Sequence, residues 1–287
     1  MAEHRRGAVV VTGASTGIGR ACALHLASRG FDVLAGVRRE EDGEKLRQAA
    51  GADGRLTPLR LDVTDEHSVK AAAGVVEQHT GERGLAGLVN NAGIGLGGPL
   101  EYLPLEDIRR QLEVNFIGQV AVTQALMRQL RLAKGRIVNM GSIGGRTPPP
   151  FAAPYAASKA ALRAMSESLR RELRPWGIWV ATVQPGAIAT PIWEKGAADS
   201  EDIRRRLPDG ANELYGNVLG NIGATTEKIG ASGMPPERVA RVVEHALSAR
   251  RPRRDYIVGR DARIQIALDR ALPTRAFDGL VRRFMGV

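Results

Sequence analysis

Short apolar runs alternate with longer helical patterns along most of the chain, and this alternation limits the possible folds more than any other feature. The apolar runs are nearly continuous, which is typical of strands buried on both faces of a parallel sheet. Right-handed crossovers then place helices on both faces, so the sequence predicts a doubly wound α/β fold with about seven strands. The predicted strands are residues 8–12, 32–37, 56–61, 87–90, 136–140, 179–184 and 255–258, and the predicted helices include 17–28, 68–79, 104–131 and 154–174.

The 287 residues contain no internal repeat and no low-complexity linker, so we expect a single domain over residues 1–287. Cys22 is the only cysteine, which excludes an intrachain disulfide and favours a reducing compartment. We interpret it as a packed small residue rather than a nucleophile. The chain start lacks an apolar signal region, and no run of about 18 apolar residues occurs. We therefore expect a cytoplasmic protein without stable membrane insertion.

The formal net charge of +10 raises the question of nucleic-acid binding. The basic residues are mostly scattered arginines without interleaved aromatics, and the clusters at 204–206 and 250–254 are short. We interpret the excess as solvated surface charge, part of which binds cofactor phosphates. Neither a nucleic-acid partner nor a metal site is predicted.

Two segments differ from the regular alternation. Residues 191–234 mix glycines, charges and short apolar pieces without a clear period, which is typical of a lid, here over the substrate site. Residues 264–287 carry Leu, Ile and Phe at helical spacing among arginines, with a break at Pro273. Such a tail can cap the pocket, form a subunit contact or touch a membrane surface. Its short apolar face favours the first two roles.

Three glycines, Gly13, Gly17 and Gly19, follow the first predicted strand and open the first helix. Backbone N–H groups in such a turn and at the helix N-terminus can receive a pyrophosphate, and the missing side chains allow close approach. A purely structural turn needs fewer glycines, so this context favours nucleotide binding. The other positions of the turn predicted to contact the cofactor are Ser15, Thr16 and Ile18.

The second predicted strand ends without an acidic residue and is followed by Arg38 and Arg39. NAD sites place an Asp or Glu there to bind the ribose 2′-hydroxyl, whereas a guanidinium pairs with a 2′-phosphate. We therefore predict a preference for NADP(H), with NAD(H) still possible. The alternative is that both arginines face solvent.

Polar and small residues follow the next two strands. Asp62 and Val63 are placed to reach an adenine, and Asn91, Ala92 and Gly93 close the fourth strand. Ligands of open α/β sheets bind outside the carboxyl ends of the strands, so both positions suit the cofactor crevice. For Asp62 the alternative is a cap on the helix that begins near residue 65.

Tyr155 and Lys159 lie four residues apart in a predicted helix and so share one of its faces. An ammonium group can lower the pKa of a phenol by stabilising the phenolate, which makes the tyrosine a proton donor and acceptor near neutral pH. The spacing is common by chance, so its weight comes from Ser142 and the glycine turn upstream.

Together these motifs resemble the short-chain dehydrogenases/reductases. The resemblance rests on Thr12-Gly-x-x-x-Gly-x-Gly19, Asn90-Asn-Ala-Gly93, Asn115, Ser142, Tyr155-x-x-x-Lys159 and Pro185-Gly186, in the order and spacing of that family. It covers residues 8–190, with a similar ending near 254–259, and looks like the branch of retinol and hydroxysteroid dehydrogenases. It implies a Rossmann-like fold and an NAD(P)-dependent enzyme acting on CH–OH or C=O groups. It also implies a homodimer or homotetramer paired through helices 104–131 and 154–174.

The resemblance implies roles for four catalytic residues. Tyr155 is expected to protonate the carbonyl oxygen during reduction and to take the alcohol proton in the reverse direction. Lys159 is expected to lower the pKa of Tyr155 and to bind the nicotinamide ribose. Ser142 would hold the substrate oxygen, and Asn115 would fix a water that joins Lys159 to solvent through a backbone carbonyl. The further cofactor contacts implied are Pro185, Gly186, Ile188 and Thr190.

The positions predicted to line the substrate site beside Ser142 and Tyr155 are mainly apolar. They are Ile94, Ile143, Pro185 and Trp193, with contributions from Leu96, Leu214 and Tyr215. This lining favours a lipophilic ketone, aldehyde or secondary alcohol of steroid or retinoid type. The alternatives are an NAD-dependent alcohol dehydrogenase and, from another class, a non-catalytic nucleotide-binding sensor or scaffold, against which the intact Ser, Tyr and Lys argue.

Overall fold

The computed structural model describes residues 6–51, 55–193, 201–202 and 205–286. Within them one sheet contains β1 (Arg6–Val11), β2 (Phe31–Val37), β3 (Leu56–Arg60), β4 (Gly87–Asn90), β5 (Arg136–Met140), β6 (Trp179–Pro185) and β7 (Asp255–Val258). The strand order is β3-β2-β1-β4-β5-β6-β7, and all neighbours are parallel. The predicted doubly wound, Rossmann-like sheet is confirmed, and every predicted strand agrees to within two residues at each end.

The helices of the described residues fill the connections between the strands, and the last two follow β7. They are α1 (Gly17–Ser28), α2 (Glu40–Ala50), α3 (Glu66–Thr80), α4 (Leu105–Leu112), α5 (Gly118–Ala133), α6 (Ala153–Glu172), α7 (Asp209–Ala231), α8 (Glu237–Ser248), α9 (Arg260–Ala271) and α10 (Thr274–Met285). The break predicted at Pro273 is confirmed, because this residue separates α9 from α10. Among the described residues, no helix is both long enough and apolar enough to cross a membrane.

Alternating residues of the strands build two apolar layers. In β1, Val9 and Val11 belong to the layer covered by α1, α2 and α8, whereas Val10 belongs to the layer covered by α3 and α5. Because both faces are covered, the strands are apolar at nearly every position. Cys22 is fully buried in the first layer, and burial raises the pKa of its thiol to about 12. Its interpretation as a packing residue is confirmed.

The continuous helix expected over residues 104–131 is wrong in one detail. A π-helical turn, Glu113–Ile117, separates α4 from α5, and Asn115 lies buried in its middle. Such turns widen a helix locally and are frequent at functional sites. Here the turn places the Asn115 side chain against the backbone of residue 94.

The irregular structure expected for residues 191–234 is also wrong over much of its length. Helix α7 occupies 23 residues of this segment. Its five glycines lower helix propensity and dilute the apolar periodicity, which explains why the pattern looked irregular. Residues 194–200 and 203–204 lie outside the described part of the chain. The role of the segment as a lid stays a prediction.

The order of the strands in the sheet determines where the ligand crevice lies. The chain moves from β1 outward to β3 and then crosses back to β4, so the connections leave β1 and β4 in opposite directions. In open parallel sheets a ligand crevice forms where this reversal occurs, outside the carboxyl ends of the two strands. The glycine turn and the Asn91–Gly93 segment meet at this point.

Candidate active site

The carboxyl ends of β1 and β4 are tied together by a compact set of hydrogen bonds. The Thr12 hydroxyl oxygen accepts from the backbone N–H groups of Asn91 and Ala92, both at 2.9 Å. The Asn91 side-chain amide donates to the carbonyl oxygens of Thr12 and Gly13 at 2.9 and 3.1 Å. These contacts fix the glycine turn on the fourth strand.

The glycine turn requires its glycines for two different reasons. Gly13 and Gly17 have φ angles of +63° and +55°, which side chains rarely tolerate. Gly19 has an ordinary φ angle, but a methyl group there would overlap the Gly13 carbonyl oxygen and the Asn91 amide. The turn therefore lies too close to the segment after β4 for a side chain at Gly13 or Gly19, whereas a side chain at Gly17 would meet Thr190.

The start of α1 faces the cleft as a site for an anion. Thr16 precedes the helix and makes no side-chain capping hydrogen bond, and the first turn contains no acidic residue. The N–H groups and the dipole at a helix N-terminus favour negative charge. The glycine turn and this helix end together fit the pyrophosphate of a dinucleotide.

One cleft, with a cavity volume of about 1640 Å³, contains most of the predicted site. The predicted cofactor positions that line it are Gly13, Ser15, Thr16, Gly17, Ile18, Gly19, Arg38, Asp62, Val63, Asn91, Ala92, Gly93, Tyr155, Lys159, Pro185, Gly186, Ile188 and Thr190. The predicted substrate positions Ile94, Leu96, Ser142, Ile143, Tyr155 and Trp193 line it as well. The fold thus brings distant sequence motifs to one crevice.

The two arginines after β2 have different surroundings. Arg38 lines the cleft. Arg39 lies outside it and makes a two-pronged ion pair with Asp42, with N···O distances of 2.9 and 3.0 Å. The prediction that Arg39 binds the cofactor is corrected, because Asp42 at the start of α2 already holds its guanidinium group. Arg38 remains the candidate partner for a 2′-phosphate.

Asp62 is a loop residue at the cleft and not a helix cap. Its carboxylate accepts hydrogen bonds from the backbone N–H and the hydroxyl of Thr64, at 3.0 and 2.8 Å. The residue that caps α3 is Asp65, which accepts from the His67 N–H at 2.9 Å. The alternative interpretation of Asp62 as the cap is therefore wrong.

Tyr155 and Lys159 lie on α6 at the floor of the cleft. The Lys159 side chain is almost fully buried, and its Nζ donates to the Met140 carbonyl oxygen at 2.9 Å. Burial lowers the pKa of Lys159 to about 8. Burial raises the pKa of Tyr155, and a hydrogen bond with Ser142 opposes this effect.

Burial outweighs any lowering of the tyrosine pKa by Lys159, and that predicted lowering stays a prediction. The Lys159 ammonium lies 5.9 Å from the centre of the Tyr155 ring and bonds to Met140. Removal of the phenol from water disfavours the phenolate and is the larger effect on its pKa. The hydrogen bond with Ser142 is the contact that favours ionisation.

Ser142 has a structural contact and also acts on Tyr155. Its hydroxyl oxygen accepts from the Gly144 N–H at 3.1 Å at the start of the short 3-10 turn Ile143–Gly145. The same side chain lowers the pKa of Tyr155 and lines the cleft. A substrate oxygen beside Tyr155 would therefore meet the Ser142 hydroxyl as well.

Asn115 lies behind the cleft wall and braces it. Its side-chain oxygen accepts from the Ile94 N–H at 2.8 Å, and its amide donates to the Ile94 carbonyl at 2.9 Å and to Ser158 at 3.0 Å. A methyl group at Gly93 would come within 3.2 Å of the Asn115 oxygen and 3.4 Å of Lys159 Nζ. Asn115 thus holds the wall next to Lys159. Its role in fixing a water stays a prediction.

Two predicted substrate residues lie outside the cleft. Leu214 is 66% exposed on α7. Tyr215 donates to Glu101 and makes edge-on ring contacts with Tyr102 and Phe151. The prediction that Leu214 and Tyr215 line the substrate site is therefore corrected. Leu214 and Tyr215 lie on α7, a helix that the sequence pattern did not reveal.

Several cleft residues were missed because they come from distant parts of the chain. Phe151 lines the cleft with a φ angle of +62°, and no local sequence signal marks it. The apolar tail residues Ile264, Leu268, Phe277, Leu280, Val281 and Phe284 also line it. Their helical spacing was the available signal, and the expectation that the tail contributes to the pocket agrees with their position.

Asp261 at the start of α9 was missed and holds the loop after β6. Its carboxylate accepts from the Ala187 N–H at 2.8 Å. A side chain at Gly186 would overlap this carboxylate. The loop runs on to Ile188 and Thr190, so Asp261 fixes the wall of the cleft opposite the glycine turn.

Comparisons with known proteins agree with this geometry. Residues 7–201 match the sequence profile described as short chain dehydrogenase. Retinol dehydrogenase 5 of Mus musculus is 38% identical over 95% of this chain and 87% of its own length. Estradiol 17-beta-dehydrogenase 2 of Mus musculus is 36% identical over 96% of this chain and 74% of its own length.

Solved structures show the same similarity. A short-chain dehydrogenase from Streptomyces avermitilis has a TM-score of 0.75 at 29% identity, covering 94% of this chain and 97% of its own. A short chain dehydrogenase from Burkholderia cenocepacia J2315 in complex with NADP has a TM-score of 0.70 at 27% identity, covering 98% and 99%. These matches confirm the resemblance predicted from the sequence, including the retinol and hydroxysteroid dehydrogenase-like branch.

Substitution of Asp261 with Ala should weaken binding of a nicotinamide dinucleotide. Loss of the charge-assisted bond to the Ala187 N–H frees the loop, and the dissociation constant should rise roughly tenfold. Fluorescence titration of purified protein measures it. Asp269→Ala, on the same helix and outside the cleft lining, is the matched control and should leave the constant unchanged. Equal dissociation constants for the wild type, Asp261→Ala and Asp269→Ala would contradict the assignment of Asp261 to holding the loop.

Proposed function

Because the chain belongs to the short-chain dehydrogenase/reductase family and is an oxidoreductase acting on CH–OH and C=O groups, we propose that it transfers hydride between NADP(H) and a lipophilic ketone, aldehyde or secondary alcohol. The observation that carries this proposal is the contact of Ser142 with Tyr155 beside buried Lys159, within the cleft that also contains the glycine turn. The dinucleotide, when bound, would supply the hydride in reduction and accept it in oxidation.

The residues of the cleft suit NADP(H) better than NAD(H). The glycine turn and the start of α1 would hold the pyrophosphate, and Asp62, which lines the same cleft, would face the adenine. Arg38 lines the cleft after β2, at the position where an acidic residue would bind a free 2′-hydroxyl. A guanidinium group there favours a 2′-phosphate. The NADP bound to the Burkholderia cenocepacia protein supports the same choice.

The protonation states of the site favour carbonyl reduction near neutral pH. Burial keeps the Tyr155 phenol protonated, so it can donate its proton to a carbonyl oxygen as hydride arrives at the carbon. Ser142 would donate a hydrogen bond to the same oxygen and stabilise its developing charge. Lys159, with a pKa of about 8, is mostly charged at neutral pH and lowers the cost of leaving a phenolate beside it.

The substrate side of the cleft is mainly apolar. Ile94, Ile143 and Trp193 surround the catalytic end, and the apolar face of α10 extends the lining outward. Trp193 is held in place because its indole N–H donates to the Ile188 carbonyl at 2.7 Å. The names of the relatives, a retinol and an estradiol dehydrogenase, support a steroid- or retinoid-like molecule of this chemistry.

The proposal includes a cytoplasmic homodimer or homotetramer. Leu105 at the start of α4 and Ile117 before α5 are 61% and 46% exposed. Exposed apolar side chains on α4 and on the π-helical turn that follows it support pairing of this surface across a two-fold axis.

Replacing Tyr155 with Phe should abolish most turnover without loss of cofactor binding. The ring remains, but the proton donor is removed, so we expect kcat to fall by about 10²- to 10⁴-fold. Steady-state reduction of a ketone panel and a parallel NADPH titration measure the two effects. Tyr215→Phe is the matched control, because that hydroxyl lies outside the cleft. Near-normal turnover of Tyr155→Phe would contradict the proposal. Cofactor binding by the wild type without turnover of any carbonyl would favour a sensor or scaffold.

Replacing Arg38 with Asp should reverse the cofactor preference. A carboxylate repels the 2′-phosphate, so NADPH affinity should fall at least about tenfold while NADH affinity is maintained or improved. Arg39→Asp provides the control, because Arg39 pairs with Asp42 outside the cleft. Unchanged NADPH affinity in Arg38→Asp would remove Arg38 from the cofactor site, and NADH preference in the wild type would favour an NAD-dependent alcohol dehydrogenase.

A further inference from the structure

The two C-terminal helices present apolar side chains at the mouth of the cleft. On α9, Ile264 and Leu268 are 57% and 37% exposed, and on α10, Leu280 and Phe284 are 47% and 68% exposed. Each pair is spaced by four residues and so forms a stripe on its helix. All four residues also line the cleft. The rim of the mouth is thus apolar and in contact with solvent.

The same two helices are basic. All six arginines of residues 260–286 are exposed, against three exposed aspartates, so the segment carries a formal charge of 6 − 3 = +3. The arginines are Arg260, Arg263, Arg270, Arg275, Arg282 and Arg283. Among the aspartates, Asp261 is already engaged by the Ala187 N–H. Exposed Phe and Leu beside several arginines are typical of helices that lie in a membrane interface.

We propose that α9 and α10 form a docking surface for an anionic lipid bilayer. The apolar stripes would enter the boundary between headgroups and acyl chains, and the arginines would contact lipid phosphates. Docking of this kind lies on the surface and requires no membrane-spanning helix. It would place the mouth of the cleft against the lipid, and a lipophilic substrate would enter without crossing water. This last step rests on the proposed function, whereas docking itself does not.

A second copy of this chain fits the surface less well than a lipid. A two-fold dimer through α9 and α10 would bring the same basic segment of each copy together, and like charges repel. An anionic bilayer offers the opposite charge and an apolar interior at once. The sequence favoured a pocket or subunit role over a membrane contact because each apolar face is short. The structure places both short faces at one rim, where together they form a larger surface.

Vesicle sedimentation tests this proposal directly. The full chain should bind vesicles of phosphatidylcholine containing phosphatidylglycerol and bind pure phosphatidylcholine weakly, with binding lost as salt rises. The double variant Arg282→Gln, Arg283→Gln should bind about 25-fold more weakly, from about fivefold per arginine near the surface. Phe284→Asp should prevent binding. Val75→Asp is the matched control, since Val75 is 46% exposed on α3 and should leave binding unchanged.

Other results would overturn the proposal. The proposal would be wrong if the wild type bound both vesicle types equally or bound neither. It would also be wrong if the double variant Arg282→Gln, Arg283→Gln bound as tightly as the wild type. Sedimentation equilibrium that shows a dimer dissociated by Phe284→Asp would assign the surface to a second copy instead. If Phe284→Asp does not fold, the salt dependence of the wild type and the arginine variant still decide. Vesicle binding needs no turnover, so failure of the enzymatic proposal and failure of docking remain distinguishable.

Discussion

The close approach of the glycine turn to the fourth strand is the constraint on which the rest of the cleft depends. Thr12 and Asn91 exchange side-chain and backbone hydrogen bonds across the carboxyl ends of β1 and β4. Because these bonds leave no room for a side chain at Gly19, the start of α1 is held near β4 with its N–H groups toward the crevice. The segment that continues from Asn91 then reaches Ile94, which Asn115 holds by both backbone groups.

Burial gives the catalytic cluster its chemical character. Burial lowers the pKa of Lys159 and raises the pKa of Tyr155, which lies one helix turn away. Both shifts favour the neutral form of the side chain. The ammonium is retained near neutral pH because its shifted pKa is still about 8 and the Met140 carbonyl accepts a hydrogen bond from it. Burial keeps the Tyr155 phenol protonated, and Ser142 is the neighbour that favours its ionisation. A protonated Tyr155 suits carbonyl reduction more directly than alcohol oxidation.

Local patterns predicted the fold and much of the site, because strands, the glycine turn and a Tyr–Lys pair on one helix face each leave a signal over a few residues. Contacts between distant segments left none. The sequence around Asp261 gives no sign of a contact with Ala187. Only the fold brings its carboxylate to the Ala187 N–H. Arg38 and Arg39 are adjacent and identical, but Asp42 holds Arg39 in an ion pair.

The pKa of Tyr155 was predicted from its nearest charge, whereas burial by the whole cleft is the larger effect. The π-helical turn at Asn115 likewise depends on a partner that is 21 residues away.

The pH dependence of kcat/KM for NADPH-dependent reduction of a lipophilic ketone tests the central claim most directly, since it reports the ionisation of the free enzyme. Lys159 is charged below its pKa of about 8 and neutral above it. Activity should therefore be high near neutral pH and fall as the pH rises through about 8, and Lys159→Gln should be much less active and lack this fall. A wild-type profile that stays level through this range, or a fall that persists in Lys159→Gln, would contradict the assignment of Lys159 and Tyr155 to proton transfer.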